Sequence, residues 1–245
     1  MSAAARQARR DELARGLDSV RRRLDDAARA CGREPSDVGL LTVTKYFPAS
    51  DAVLLYELGC RAFGESREQE AHAKIEEFRA EVPDPTVQWH MIGRLQRNKA
   101  RAVARWAHAV HSVDSVRLAG ALATGASAAL DAGDRTASLR VLLQVSLDGD
   151  PKRGGVPADG LDALADAVAA ADGLELAGVM GVPPLGADVD ASFETLARLG
   201  ERLRQRHPEA RELSAGMSGD LEHAVRHGST CVRVGTGVLG SRPLA

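Results

Sequence analysis

The chain has 245 residues and a formal net charge of -2, from 32 Lys plus Arg against 34 Asp plus Glu. This near balance argues against a protein that coats nucleic acid. The 44 % of hydrophobic residues is enough to bury a core, which excludes disorder as the main state. Aromatics are only 3 %, so the core is expected from Leu, Val and Ala. Lysines are scarcer still, with four against 28 arginines.

The N-terminus, MSAAARQARRDELARGL, is Arg-rich. Asp11, Glu12 and Asp18 interrupt it and it lacks the apolar core of a secretory signal, so a surface helix is expected. Leu13, Leu17, Val20, Leu24, Ala27 and Cys31 fall on one stripe at helical spacing. The helix is placed at about residues 10–32, with Gly32 as its C-terminal cap and Pro35 preventing continuation.

Short apolar or β-branched runs then begin near positions 40, 61, 87, 109, 139, 174, 212 and 231, and a helical pattern follows each of the first seven. Parallel strands need a crossover for each return, so the alternation implies parallel pairing. The expected fold class is α/β, a single (β/α)8 TIM barrel with an extra N-terminal helix, in one domain over residues 1–245. Periodicity does not separate a closed barrel from a doubly wound open sheet.

Cys31, Cys60 and Cys231 form no CxxC pair, so reduced thiols and a cytoplasmic location are expected. No stretch approaches the ~20 apolar residues of a membrane span.

Barrel sites lie where strands end. The first run, LLTVTK, ends in Lys45. In a partly desolvated pocket its amine would titrate below the usual value of about 10.4 and be free to attack a carbonyl. Lys74 and Lys99 sit in helical patterns and Lys152 in a loop, which leaves Lys45 as the candidate. Near the far end, Gly216-Met217-Ser218-Gly219-Asp220 opens a helix, with Ser218 expected as its N-cap, and the last run ends in Gly235-Thr236-Gly237. Two glycine-flanked hydroxyls after strands seven and eight point to phosphate. Arg233 alternates against Val232 and Val234, so it serves either a ligand atom or an internal salt bridge. An imine lysine, a phosphate cradle and a ring-facing arginine together match pyridoxal 5'-phosphate.

The segments LLTVTKYFPAS, RAFGESREQE, WHMIGRLQRNKAR, VHSVD and SAGMSGDLEHAVRHGSTCVRVGTGVLG resemble the pyridoxal phosphate homeostasis protein family, which is related to the alanine racemase N-terminal barrel. The resemblance runs from about Leu40 to Arg242. It implies that Lys45 carries the cofactor as an aldimine and that Arg233 faces the pyridine nitrogen. It further implies that Ser218, Gly235 and Thr236 hold the phosphate, and that Met217 and His90 line the same pocket. The family's second-strand motif often continues phenylalanine-glycine-glutamate-asparagine. Here Phe63-Gly64-Glu65 is followed by Ser66, a shorter hydroxyl at that cofactor-facing position. Glu65 has no role assigned from sequence.

The implied function is a cofactor carrier without turnover, monomeric, with pyridoxal-phosphate-dependent apoenzymes as partners. Tyr46 neighbours Lys45, and on an extended strand the two side chains point oppositely, so no second base for racemisation is evident. A pyridoxal-phosphate-dependent amino-acid racemase is the alternative, and an imine-forming aldolase a third. Arg94, Arg97, Arg101 and Arg105 recur at helical spacing and are read as a solvated face, without nucleic acid. His223 and His227 lack a third ligand and are read as surface histidines, without metal.

Overall fold

The structure, a computed structural model, describes residues 2–84 and 86–241. Arg242, where the resemblance ends, lies outside the described residues. Eight strands form a closed parallel barrel in chain order: β1 (Gly39–Val43), β2 (Ala62–Glu65), β3 (Gln88–Met91), β4 (Ala109–Val113), β5 (Leu139–Gln144), β6 (Leu174–Met180), β7 (Glu212–Ser214) and β8 (Cys231–Val234). Pairing of Leu40 with Val232 and of Leu41 with Arg233 closes the ring between β1 and β8. Closure decides between the two architectures that periodicity left open.

A helix precedes β1 and one follows each strand: α1 (Ala3–Ala30), α2 (Ala49–Glu57), α3 (Glu68–Glu81), α4 (Ala100–Trp106), α5 (Val116–Asp131), α6 (Leu161–Ala169), α7 (Val189–Arg206), α8 (Leu221–Arg226) and α9 (Thr236–Leu239). Helix stripes and the outward faces of the strands make the main core. Phe63, Phe78 and Trp89 pack there, with ring centroids 5.1 to 5.8 Å apart.

The first helix starts at Ala3 rather than near residue 10, because Ser2 caps it by accepting from the Ala5 amide. It ends as expected: Gly32 has φ +68, and Arg33 N donates to Ala28 O at 3.0 Å. This helix lies on the barrel's side, against α2, α8 and α9. Arg9 grips Asp51 at 2.7 Å and Arg23 grips Glu222 at 2.7 Å. Its Gly16 sits so close to Val238 that a side-chain carbon would collide with the Val238 carbonyl.

Of the arginine stripe only Arg101 and Arg105 lie on α4; Arg94 precedes it in irregular chain, and all four residues are exposed. His223 and His227 both turn to Asp190, at 3.0 and 2.9 Å. Among the described residues no group of three or more His, Cys, Asp or Glu is arranged to hold a metal ion. Among them, too, no helix is long and apolar enough to cross a membrane.

Candidate functional site

At the C-terminal end of the barrel a cavity of about 320 Å³ is lined by Lys45, Tyr46, Phe47, Ile92, Met217, Ser218, Arg233, Gly235 and Thr236, with Val43 and Gly219. It is within the usual size range for a small-molecule site. A larger hollow of about 490 Å³ lies between α3, α4 and the loop after α5. Its charges are already matched, Glu76 with Arg79 and Arg105 with Asp134, and it holds none of the strand-end chemistry.

Lys45 is not in the strand. β1 ends at Val43, and Thr44 to Phe47 form a tight turn in which Phe47 N donates to Thr44 O at 3.1 Å. The third turn residue, Tyr46, has φ +70. This is the left-handed region, which costs a residue with a Cβ about 1–2 kcal/mol. The expectation that Tyr46 points away from Lys45 rested on extended backbone and is corrected by this turn. Both line the cavity, and Lys45 Nζ is 5.8 Å from the Tyr46 ring centroid.

Beneath the turn lies a charged group that sequence reasoning left without a role. Glu65, at the end of β2, is fully buried. Its Oε1 accepts from Lys74 Nζ at 2.6 Å and from Thr44 Oγ1 at 2.7 Å, and Lys74 Nζ also donates to Thr44 O at 2.8 Å. Lys74, read only as a helix residue, thus reaches inward from α3.

Ser218 does not cap the helix after it. Asp220 stands at that N-cap and accepts from the Met217 amide. Ser218 Oγ instead accepts from Gly237 N at 3.1 Å and lies 3.0 Å from Thr236 Oγ1. The loops after β7 and β8 are thereby joined around one hydroxyl. Arg23 from α1 steadies them by donating to Ser218 O at 3.1 Å. Glycine is required at 216, with φ +93, where a side-chain carbon would come 2.6 Å from Ala224 Cβ.

Arg233 is 5 % exposed, and among the described residues no carboxylate is within ion-pair distance of it. Its partners are neutral: Ser214 Oγ at 2.6 Å and Gly181 O at 3.0 Å. Burial pushes its pKa down from the usual arginine value, with Cys231 and Asp220 opposing. Of the two readings from sequence, the internal salt bridge is not formed among the described residues.

His90 and Ser66, expected at the cavity, are not among its lining residues. His90 and Ile92 are two residues apart, so alternation would aim both inward. Ile92 is two residues nearer the C-terminal rim, just past the end of β3, and forms the wall instead. Strand alternation was the signal that could have found it. His90 lies deeper, its Nδ1 2.9 Å from His111 Nε2, whose Nδ1 is 2.9 Å from Ser214 Oγ. Its Nε2 is buried with no hydrogen-bond partner among the described residues. Burial holds His90 down at about 3, with His108 and Arg140 acting in the same sense, and holds His111 well below the ordinary histidine value. Ser66 is half-buried, with its backbone pressed on Gly93.

Comparison with known proteins places the chain in a family. Residues 17–243 match the family described as alanine racemase, N-terminal domain. The pyridoxal phosphate homeostasis protein of Mycobacterium tuberculosis is 51 % identical over 96 % of this chain and 95 % of that protein. The chain belongs to the pyridoxal phosphate homeostasis protein family. Among solved structures, one of an unknown protein from Bifidobacterium adolescentis matches with TM-score 0.87 at 30 % identity, covering 97 % of each chain. That of PipY from Synechococcus elongatus, with pyridoxal phosphate bound, matches with TM-score 0.79 at 34 % identity over 93 % of this chain and 100 % of that one.

Proposed function

We propose that this chain binds pyridoxal 5'-phosphate in the cavity at the barrel's C-terminal end and serves cofactor homeostasis as a carrier without turnover. One observation carries the reading: Lys45, Arg233 and the joined Ser218, Gly235 and Thr236 line the same cavity, although they come from opposite ends of the chain. The names of the relatives and the cofactor in PipY support it.

The residues fit the group by their chemistry. The Lys45 amine is suited to an aldehyde. Arg233 can only donate, so it serves an unprotonated ring nitrogen. The Ser218 and Thr236 hydroxyls, held side by side where the loops after β7 and β8 meet, suit a phosphate. Met217, at the rim, is expected against the ring. Ile92 excludes water from the wall where Ser66 and His90 are absent. The bound cofactor supplies an electron-accepting ring. A guanidinium partner leaves that ring a weaker acceptor than a protonated nitrogen would, which favours storage over carbanion chemistry.

The domain organisation belongs to the same reading: residues 1–245 act as one cofactor-binding unit. So do a monomeric state, a cytoplasmic location and delivery to apoenzymes. Free Cys31, Cys60 and Cys231 support a reducing compartment. Met217 and Tyr46, 40 % and 37 % exposed at the cavity, leave its mouth open to a recipient.

Tyr46 favours a second reading, an enzyme of the racemase type, because it brings a phenol to the cavity. Incubation of loaded protein with L- and D-amino acids separates the two; turnover at ordinary enzymatic rates would remove the carrier reading. The binding reading is tested by borohydride reduction of loaded protein with peptide mapping. The label is expected on Lys45, and Lys45→Ala is expected to abolish the visible absorbance of bound cofactor while the barrel stays folded. Equal labelling of another lysine in that variant would overturn the assignment.

A further inference from the structure

We infer that the buried Lys74–Glu65 pair is a positioning device for Lys45: it clamps the strained turn that carries the lysine and so aims its amine into the cavity. The inference rests on Lys45 being the aldehyde-bearing residue.

Thr44, the residue before Lys45, is held at every polar atom it has. Its N donates to Gly64 O at 3.1 Å, its Oγ1 donates to Glu65 Oε1 at 2.7 Å, and its O accepts from Lys74 Nζ at 2.8 Å. The same carbonyl accepts from Phe47 N, the bond that closes the turn. One oxygen therefore anchors both the turn and the ammonium group from α3. The turn needs that anchor, because Tyr46 has φ +70 at the position where glycine or asparagine is usual. Strained residues persist where their surroundings over-determine them.

Stability alone is a poor explanation for the pair. Lys74 is 8 % exposed and Glu65 fully buried, and buried ion pairs are often matched by apolar residues of similar volume. Glu65 Oε2 moreover lacks a hydrogen-bond partner among the described residues. What the pair does uniquely is tie α3 and β2 to the carbonyl and hydroxyl of Thr44. Attachment of an aldehyde to Lys45 forms a carbon–nitrogen bond and releases the aldehyde oxygen as water, with no change of oxidation state. Its yield depends on where the amine is held.

The test is the double variant Lys74→Met/Glu65→Gln, which removes both charges at similar volume. In cofactor-free protein, amide exchange at Phe47 is expected to quicken tenfold or more. With pyridoxal 5'-phosphate, the fraction trapped on Lys45 by borohydride is expected to fall about tenfold at sub-saturating cofactor. The pH midpoint of the visible band is expected to move. Tyr46→Gly, which relieves the turn, is expected to restore trapping in the double variant to within about threefold of Tyr46→Gly alone. Wild-type exchange, trapping and pH midpoint in the double variant would overturn the inference. So would lost trapping that Tyr46→Gly fails to restore. If the double variant does not fold, Thr44→Val removes the hydroxyl clamp alone. It is expected to quicken Phe47 exchange about threefold, and unchanged exchange counts against the clamp. Lys45→Ala run beside them separates the two readings: if it traps cofactor normally, the Lys45 assignment fails whatever the pair does.

Discussion

Ser214 Oγ lies 2.6 Å from Arg233 Nη1, the shortest of the polar contacts that hold the guanidinium. Arginine can only donate, so the hydroxyl is its acceptor, and on its other side Ser214 meets Nδ1 of His111. Arg233 is thus aimed by a chain of neutral groups running down the barrel through His111 to His90.

That arrangement predicts a graded loss of cofactor. Arg233→Ala is expected to weaken retention about tenfold or more, since hydrogen bonds to charged groups contribute about 1.5–3 kcal/mol. Ser214→Ala should weaken it less, by freeing the guanidinium, and Ser214→Thr should largely preserve it. Equilibrium dialysis measures all three. Wild-type affinity and spectrum in Arg233→Ala would show that the arginine does not face the cofactor.

Stability should fall in acid through His111, which is buried, and His90, which is half-buried with its Nε2 enclosed. His90 titrates near 3 when folded, against an ordinary 6.5, and His111 is shifted the same way. Between those values the unfolded chain binds more protons, so stability rises with pH up to about 6.5 and is lost below it. His90 alone accounts for about 2 kcal/mol between pH 7.5 and pH 5. Urea midpoints at the two pH values measure the loss, which His90→Gln should reduce. An equal loss in that variant would place its origin elsewhere.

Ser218→Ala should distinguish a phosphate site from a structural loop. Affinity for pyridoxal 5'-phosphate is expected to drop about tenfold, while affinity for pyridoxal, which lacks the phosphate, is expected to stay within about twofold. Equal losses for both ligands would mean that Ser218 only joins the loops through Gly237 N.

Gly16→Ala sets local preference against packing. Helix propensity alone predicts a gain of about 1 kcal/mol. The collision with the Val238 carbonyl predicts a loss of about 1–3 kcal/mol, as α1 is pushed from α9. Thermal melting gives the sign, and a gain would show that α1 is not held as closely as described.

The elements of the fold were legible because each burial pattern is local. Leu13, Leu17, Val20 and Leu24 recur at helical spacing, and all four are buried in the observed α1. The strand starts expected near 109, 139, 174, 212 and 231 coincide with those of β4 to β8. Capping was less legible: the backbone turn at Met217 gave the N-cap to Asp220 and left Ser218 for Gly237. The cavity wall was misplaced at His90 because alternation gives a side chain's direction but not its depth in the barrel.

By itself the sequence determined the order of strands and helices, the scarcity of lysine that singled out Lys45, and the two glycine-flanked hydroxyls near the end of the chain. Those are properties of residue type and spacing. Only the tertiary structure decided that the sheet closes, because closure is the pairing of β1 with β8, in which Leu41 meets Arg233, 192 positions later in the chain.

 The tertiary structure likewise decided that Lys74 and Glu65 meet at Thr44, and that Tyr46 turns into the cavity beside Lys45. The physical reason is the same in each case. Spacing along a chain records which face a residue takes within its own element, whereas depth in the barrel, partner and turn conformation depend on elements distant in sequence.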